Sequence, residues 1–384
     1  MFCVHSGECG GCQSIEQPYS DQLVAKQAYV VSALQVLGLP PENIFPVLPS
    51  ESSVYYRNKM EFAFARKPTG ELYLGLKRRG VFWDVIPLSH CYLQDPVTPY
   101  LLQFTSDYLC PSGLPAWDYR KREGVFRYLM VRQSKTTGHF LISLVVSEAQ
   151  NMSFFEGYAA ALVAKFPQVK SIVLTLQPTS SDTAFSTDMR VLVGEPILEE
   201  QLGALKFSIS PTAFFQTNTR QAAVLYNEIV KSLNPEPEDV VMDLYCGTGT
   251  IGLYVAPYVS AVIGVEENPA SIENAIQNAR ANGIANITFE VENVRRFLKF
   301  SKLQATKMIV DPPRDGLIPK VVRRVIERKP KTLVYVSCNL STFIRDAKIL
   351  TESGFEICGV QPVDMFPNTG HIEVVAQLRY SGVL

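Results

Sequence analysis

A glycine-rich loop between a buried strand and a helix is the feature that most constrains the fold. Gly247, Gly249 and Gly252 spell G-x-G-x-x-G directly after the apolar run 240–244. Glycine allows the tight turn and the close ligand approach that such a loop makes at a strand end. Further apolar runs alternate with helical patterns, at 261–266, 287–291 and 308–311. This alternation predicts an α/β domain with a parallel, doubly wound sheet.

The end of the chain departs from this alternation. The runs 355–360 and 372–379 have no helix between them and predict an antiparallel hairpin. A parallel sheet closed by such a hairpin is similar to the layout of S-adenosylmethionine (SAM)-dependent methyltransferases. Glu266 ends the second strand, where a carboxylate can accept hydrogen bonds from ribose hydroxyls. SAM is therefore the favoured ligand, and NAD stays as the alternative because the glycine motif alone does not separate the two.

A different pattern precedes this region, and 384 residues are enough for more than one domain. Short alternating runs between turns predict mainly antiparallel β structure over 51–204. Residues 1–50 contain a cysteine-rich stretch and then a helix over 21–38. The predicted organisation is an amino-terminal segment (1–50), a central β-rich domain (51–204) and a methyltransferase-like α/β domain (205–384).

Charge is unevenly spread along the chain. Residues 51–140 hold 13 Lys+Arg and 8 Asp+Glu, although the net charge of the whole chain is −1. The local excess fits a face that contacts nucleic-acid phosphates, and solvated strands with no ligand fit it equally well. No apolar run is long enough to span a bilayer, and no signal peptide is visible. We therefore expect a cytoplasmic protein.

Three residues at predicted strand ends carry chemistry. Cys338 lies among polar neighbours just before a predicted helix, whose positive end would favour a nucleophilic thiolate. Buried cysteines are more often inert, which is what we expect for Cys246 and Cys358. Asp311 precedes two prolines that fix a rigid turn. Glu373 opens an otherwise apolar strand, where burial would raise its pKa and suit it to general-base work.

Taken together, these segments resemble the RNA uracil-C5 methyltransferase family. The resemblance is carried by motifs in the family's order, at 56–59, 214–218, 243–252, 311–314, 337–339 and 364–373. It implies that Cys338 adds to carbon 6 of uracil and that Glu373 is the base that removes the carbon-5 proton. It also implies a set of SAM contacts: Gln216, Tyr245, Gly247, Glu266 and Asp311.

Four further cysteines suggest a metal site: Cys3, Cys9, Cys12 and Cys91. Their spacing fits tetrahedral zinc and a [4Fe–4S] cluster alike, with His5 and His90 as further candidate ligands. Branches of the family that act on ribosomal RNA carry such a set as [4Fe–4S]. The resemblance therefore implies an iron–sulfur cluster on these four thiols with a structural role, zinc being the alternative, and leaves Cys110 unused.

The same resemblance implies a substrate and partners. It points to a uridine in 23S ribosomal RNA, methylated by an enzyme that acts as a monomer. Another ribosomal uridine and transfer RNA are the alternatives within this class. A non-catalytic iron–sulfur RNA-binding protein is the alternative from another class, and the intact set of candidate catalytic residues argues against it.

Overall fold

The computed structural model describes residues 2–382, which form two large β-sheets. The order of the first sheet is β3-β2-β1-β4-β5-β6-β7. Its strands are β1 Lys59–Arg66, β2 Leu72–Arg78, β3 Val81–Pro87, β4 Phe126–Gln133, β5 Phe140–Val146, β6 Val169–Leu176 and β7 Met189–Val193. All neighbours are antiparallel except β5 and β6, which are parallel because a helix crosses between them.

The two faces of this sheet are covered differently. Phe62 and Phe64 of β1 point to one face and pack on the helices α2 and α3, whereas Ala63 between them points to the other. The bounds of the helices are given with those of the first helix of the chain: α1 Tyr19–Leu34, α2 Thr98–Leu109 and α3 Met152–Lys165. The second face is covered by irregular segments that contribute Trp117 and Tyr119. The β-rich domain is therefore a half-open layer, with one helix-free face.

The second sheet has the order β12-β11-β10-β13-β14-β16-β15. The elements after the first sheet are β8 Leu198–Leu202, β9 Leu205–Ile209, α4 Thr219–Leu233, β10 Val240–Leu244, α5 Thr250–Val255, β11 Ala261–Glu266, α6 Pro269–Ala281, β12 Ile287–Val291, α7 Val294–Phe300, β13 Lys307–Val310, α8 Pro319–Arg328, β14 Thr332–Ser337, α9 Leu340–Thr351, β15 Phe355–Val363 and β16 Glu373–Tyr380. Strands β10 to β14 are parallel, and β16 is antiparallel to both β14 and β15. The predicted parallel sheet with a terminal antiparallel hairpin is confirmed.

The amino-terminal segment contributes to both sheets. Val30 and Leu34 of α1 are fully buried in the core of the second sheet, under α9. Lys26 fixes this packing through a buried ion pair, its Nζ lying 2.6 Å from Oδ1 of Asp364. Cys9, by contrast, forms a β-bridge with a residue of β2. Segment 1–50 thus joins the two sheets.

Local details differ from the predictions by a few residues. The helix predicted over 21–38 begins at Tyr19 and ends in a 3₁₀ turn, Gln35–Leu37. Gly38 follows with φ 65°, a left-handed conformation that glycine adopts without strain. The predicted boundary at 204 falls in the turn between β8 and β9, which pair as a hairpin. Within residues 2–382 no helix is both long and apolar enough to cross a membrane.

Candidate active site

A cleft of about 770 Å³ opens at the carboxyl edge of the second sheet, where ligands of open α/β sheets bind. It is lined by all seven residues predicted to bind SAM or to act in catalysis: Gln216, Tyr245, Gly247, Glu266, Asp311, Cys338 and Glu373. The roles remain predictions, but these side chains come from five separate segments and meet at one place.

The glycine loop has the geometry of a ligand cradle. Gly247 and Gly249 have positive φ, 53° and 75°, and Tyr245 before them has φ 64°. A Cβ on Gly249 would lie 2.9 Å from the ring of Phe289, whereas one on Gly247 would meet open space. Gly249 is therefore required for packing, while the backbone at Gly247 is left accessible to a ligand.

The carboxylate of Glu266 is held at the mouth of this loop. Its Oε2 accepts a hydrogen bond from the backbone N–H of Gly247 at 3.3 Å, and its Oε1 accepts one from Asn268 at 2.9 Å. Each oxygen keeps acceptor capacity because an ionised carboxylate has about four lone-pair sites. The arrangement fits the two hydroxyls of a ribose, which both need an acceptor.

Two aspartates lie behind and beside the loop. Asp243 is fully buried, its Oδ2 accepts the N–H of Gly252 at 2.9 Å, and burial raises its pKa to about 8. Asp311 lines the cleft, and its removal from bulk water raises its pKa to about 7. Asp311 can therefore be present as an acid or as a carboxylate near neutral pH, which lets it donate or accept at a heterocyclic edge.

Gln216 is positioned by a residue of the β-rich domain. The side-chain amide of Asn58 donates to the backbone carbonyl of Gln216 at 2.8 Å and to Oγ1 of Thr219 at 2.9 Å. Asn58 is buried just before β1. The first domain thus fixes a segment of the cofactor side of the cleft.

Strand pairing brings Cys338 and Glu373 together. In the β14–β16 pair, Ser337 lies opposite Val374, so the next position on each strand places Cys338 beside Glu373. Glu373 is 5% exposed, and burial, with the nearby Asp311 carboxyl, raises its pKa well above the ordinary glutamate value. The expected elevated pKa of a buried base is confirmed.

The expectation of a stabilised thiolate at Cys338 is wrong for the ligand-free protein. Burial, with the charges of Glu373 and Asp311, raises the pKa of Cys338 to about 11, and Arg314 only partly opposes them. The loss of hydration and two nearby carboxyls outweigh the start of α9. The thiol is therefore protonated at neutral pH until a substrate changes its surroundings.

Asn339 ties the thiol loop to the Asp-Pro-Pro-Arg turn. Its Oδ1 caps α9 by accepting the N–H of Ser341, and its Nδ2 donates to the carbonyl of Arg314 at 3.0 Å. Asp346, buried on α9, accepts the N–H of Leu317 at 2.7 Å and so holds the end of the same turn. The loops that carry Cys338 and Asp311 are therefore fixed relative to each other.

Three further side chains line the cleft that motif-by-motif reasoning gave no role: Arg57, Arg314 and His371. Arg57 comes from the β-rich domain, and its guanidinium carbon lies 6.0 Å from the ring centre of Phe366. Its Nε is buried with no hydrogen-bond acceptor among the described residues. An incoming polar group would satisfy it. Its place in the 56–59 motif was the available signal.

The other predicted residues of interest have structural surroundings. Phe62 is in the core, and the hydroxyl of buried Tyr56 donates to the carbonyl of Pro367. Cys246 is buried as expected, but Cys358 is only half-buried, because it lies on the edge strand β15.

The amino-terminal cysteines gather at a second place. Cys3, Cys9, Cys12 and Cys91 line one cavity under the β2–β3 hairpin, together with His5 and His90. Burial and the neighbouring thiols raise the pKa of Cys12 to about 12. Among residues 2–382 no three ligand-type side chains are drawn close enough to hold a metal ion. The donor set of four converging thiols nevertheless fits both a [4Fe–4S] cluster and tetrahedral zinc.

Comparison with known proteins adds the family. A family model described as tRNA (uracil-5-)-methyltransferase matches residues 185–380. An uncharacterized RNA methyltransferase of Caldanaerobacter subterraneus subsp. tengcongensis is 35% identical over 380 residues, which cover 99% of this chain and 84% of the relative. Another from Oceanobacillus iheyensis is 36% identical over 377 residues, covering 96% and 81%.

A solved structure supports the same assignment. The tRNA (uracil-54, C5)-methyltransferase of Pyrococcus abyssi, in complex with S-adenosyl-L-homocysteine, superposes with a TM-score of 0.79 at 30% identity. The match covers 96% of this chain and 84% of that one. Fold and cleft are those of a Rossmann-like SAM-dependent methyltransferase with an added β-rich domain. The chain belongs to the RNA uracil-C5 methyltransferase family, as its motifs predicted.

Proposed function

We propose that this protein methylates carbon 5 of a uridine in RNA through a covalent adduct on Cys338, with Glu373 as the base. The observation that carries the proposal is the pairing of β14 with β16, which sets a thiol and a buried carboxyl side by side in the cleft. Uracil-C5 methylation needs such a pair on one ring, because carbon 5 is a poor nucleophile until carbon 6 has been attacked.

The chemistry follows from these two groups. The thiolate of Cys338 adds to carbon 6 of uracil, and the electrons of the 5,6 double bond move onto oxygen 4 as an enolate. Carbon 5 is then nucleophilic and takes the electrophilic methyl group that SAM supplies when bound. The electron pair of the broken sulfur–methyl bond leaves with S-adenosylhomocysteine. Glu373 accepts the carbon-5 proton, and the C–H electrons re-form the 5,6 double bond and expel the thiolate.

The surroundings explain how both groups are activated. Glu373 must be ionised to accept a proton, and a raised pKa makes its carboxylate a stronger base. Arg314 is the cation that lowers the pKa of both Cys338 and Glu373. Since the cleft is closed around both groups, the uracil must leave its stack and enter it as a flipped or unpaired base.

The cofactor side of the cleft gives a separate test of SAM binding. We expect Glu266→Gln to weaken the binding of S-adenosylhomocysteine by about 10-fold or more, because hydrogen bonds to a charged acceptor contribute about 1.5–3 kcal/mol. Isothermal titration calorimetry measures this directly. Glu290→Gln, an exposed residue on the neighbouring β12, is the matched control and should bind as the wild type does. Equal affinities for both variants would remove Glu266 from the site.

For the four amino-terminal thiols we propose a [4Fe–4S] cluster with a structural role. The convergence of the thiols on one cavity between residues 3–12 and the first sheet supports it. Cluster binding would hold the amino-terminal loop against β2, where the bridge of Cys9 with Arg78 already anchors it. Methylation itself needs no redox step.

Anaerobic purification tests this proposal. The wild-type protein should contain about four iron and four sulfide per chain, with the broad visible absorbance of a cluster. Cys12→Ser should lose most of the iron, whereas Cys110→Ser, a thiol outside the cavity, should keep it. Zinc at one equivalent with no sulfide would replace the cluster with the zinc alternative.

For the substrate we propose a uridine of 23S ribosomal RNA, as the resemblance implies. Transfer RNA is the second candidate, supported by the solved tRNA methyltransferase that this chain resembles over nearly its whole length. Tritiated SAM with each purified RNA, followed by mapping of 5-methyluridine, decides between them. Label in transfer RNA alone would refute the ribosomal assignment and leave the reaction unchanged.

A further inference from the structure

The cations of residues 51–140 are less available to RNA than their number suggests. Arg127 and Arg132 are fully buried inside the β-rich domain. Lys77 is ion-paired with Asp182 at 2.6 Å. Counting charges along the sequence therefore overstates how basic this surface is, and a denser exposed set lies on the other domain.

Six cationic side chains line one concavity of about 580 Å³ between α7 and α8. We call this the α7–α8 groove, and its cations are Arg295, Arg296, Lys299, Lys320, Arg323 and Arg324. Two carboxylates compensate them: Glu292 pairs with Arg296, and Glu327 with both arginines of α8. Within the described part of the chain, the other three cations have no carboxylate within 4.0 Å. The groove thus carries a clear excess of positive charge.

These cations do not hold the fold together. A structural arginine in the same place shows the contrast: Arg328 donates to the carbonyls of Leu298, Ser301 and Leu303 and so ties α8 to the end of α7. Among the described residues, the side chains of the six groove cations make no hydrogen bond to a backbone carbonyl. Removing them should therefore cost the fold little.

Their position in the helices is unfavourable without an anion. Arg295, Arg296 and Lys320 lie in the first turns of α7 and α8, and neither first turn contains an acidic residue. Cations near a helix amino terminus are disfavoured by the helix dipole, typically by about 0.3–1 kcal/mol each. Bound anions would reverse this, which makes the groove a surface suited to negative charge.

The groove also continues from the catalytic cleft. Because α7 follows β12 and α8 follows β13, both helices start at the carboxyl edge of the parallel sheet, where the cleft opens. Arg314 lies in the turn between β13 and α8 and lines the cleft itself. A polyanion whose target base sits in the cleft can therefore extend into the groove.

We propose that the α7–α8 groove binds phosphates of the substrate RNA that flank the methylated uridine, an inference that rests on the proposed function. RNA is favoured over an acidic protein because Phe300, 67% exposed, lies beside the groove with the Nζ of Lys299 4.6 Å from its ring. Exposed aromatic rings next to cations bind bases and phosphates together.

The test removes only the three cations that have no carboxylate partner, in the variant Arg295→Gln/Lys299→Gln/Lys320→Gln. Its affinity for a fluorescein-labelled RNA hairpin with a uridine in the loop is measured between about 50 and 200 mM salt, where each lost phosphate contact lowers the logarithmic salt slope by about 0.9. We expect the slope to fall by about 2 and affinity at the lowest salt to fall by about 10-fold or more. Thermal unfolding should match the wild type, since all three side chains are exposed.

The matched control removes the same charge from the other domain, in Lys165→Gln/Lys170→Gln/Arg190→Gln, three exposed residues. Equal slopes for the two triple variants would overturn the proposal, and so would unchanged RNA binding combined with loss of an acidic protein partner. Direct binding does not depend on methylation. A slope change with no methyl transfer by the wild type would therefore sink the proposed function and uphold the groove.

Discussion

Replacing Cys338 with alanine should abolish methyl transfer and covalent trapping of RNA together. With RNA that contains 5-fluorouridine, the wild-type protein and SAM should form a complex that survives a denaturing gel, because fluorine at carbon 5 cannot be removed as a proton. Cys338→Ala lacks the sulfur that adds to carbon 6, so no complex should form. Turnover on ordinary RNA should fall on the order of 10⁴-fold or more, as for other enzymes that lose their nucleophile.

The best control is another half-buried thiol of the same domain. Cys358 lies on the outer strand β15 and does not line the cleft, so Cys358→Ala should trap RNA and methylate it at the wild-type rate. SAM binding by Cys338→Ala should also be unchanged, which separates loss of the nucleophile from loss of the cleft. Trapping by Cys338→Ala would show that another group attacks carbon 6.

The pH dependence of trapping follows from the pKa of Cys338. Because burial and two carboxyls raise this pKa to about 11, the attacking thiolate is scarce at neutral pH in the free protein. Trapping should therefore accelerate as pH rises from neutral. Substrate binding brings the uracil and its polar edges into the cleft, so the dependence should be weaker for saturating RNA than for dilute RNA.

Local sequence patterns predicted most of the fold because the burial pattern of each strand is set by its own residues. The strands at 240–244, 261–266 and 287–291 occur where the apolar runs are, and the late hairpin follows from the missing helix. The cleft residues were also reachable, since parallel strands deliver their carboxyl ends to one edge. What a pattern cannot give is the contact between distant segments.

Three failures show this limit. Asn58 supports Gln216 across the junction of two domains, and no local pattern reveals that contact. The basic count of residues 51–140 included Arg127, whose side chain is buried. The thiolate expected at Cys338 rested on the nearby helix start, whereas the pKa is set by burial and by carboxyls that come from two other strands. Each error concerns the tertiary environment of a charge.

Replacing Glu373 with glutamine should give the opposite phenotype to loss of Cys338. The amide cannot accept the carbon-5 proton, so the methylated adduct should form but not resolve. We expect product release to slow by about 10²–10⁴-fold, the usual contribution of a positioned base. A covalent complex should therefore accumulate on a denaturing gel with ordinary uridine RNA and SAM, with no fluorine required. Fast release by Glu373→Gln would assign the base elsewhere.

Stability gives a second, independent readout of the same substitution. The pKa of Glu373 is raised in the folded protein, so above the ordinary glutamate value the folded state holds a proton that the unfolded chain has released. Folding stability from this group is thus present at low pH and is lost as pH rises toward the folded pKa. Glu373→Gln removes that loss, so its melting temperature relative to the wild type should increase with pH. Exposed Glu356→Gln on β15 should show no such trend, because water solvates its charge in both states. A variant that is both stabilised at high pH and arrested with methylated RNA would identify Glu373 as a carboxylate kept buried for proton removal at a cost to the fold.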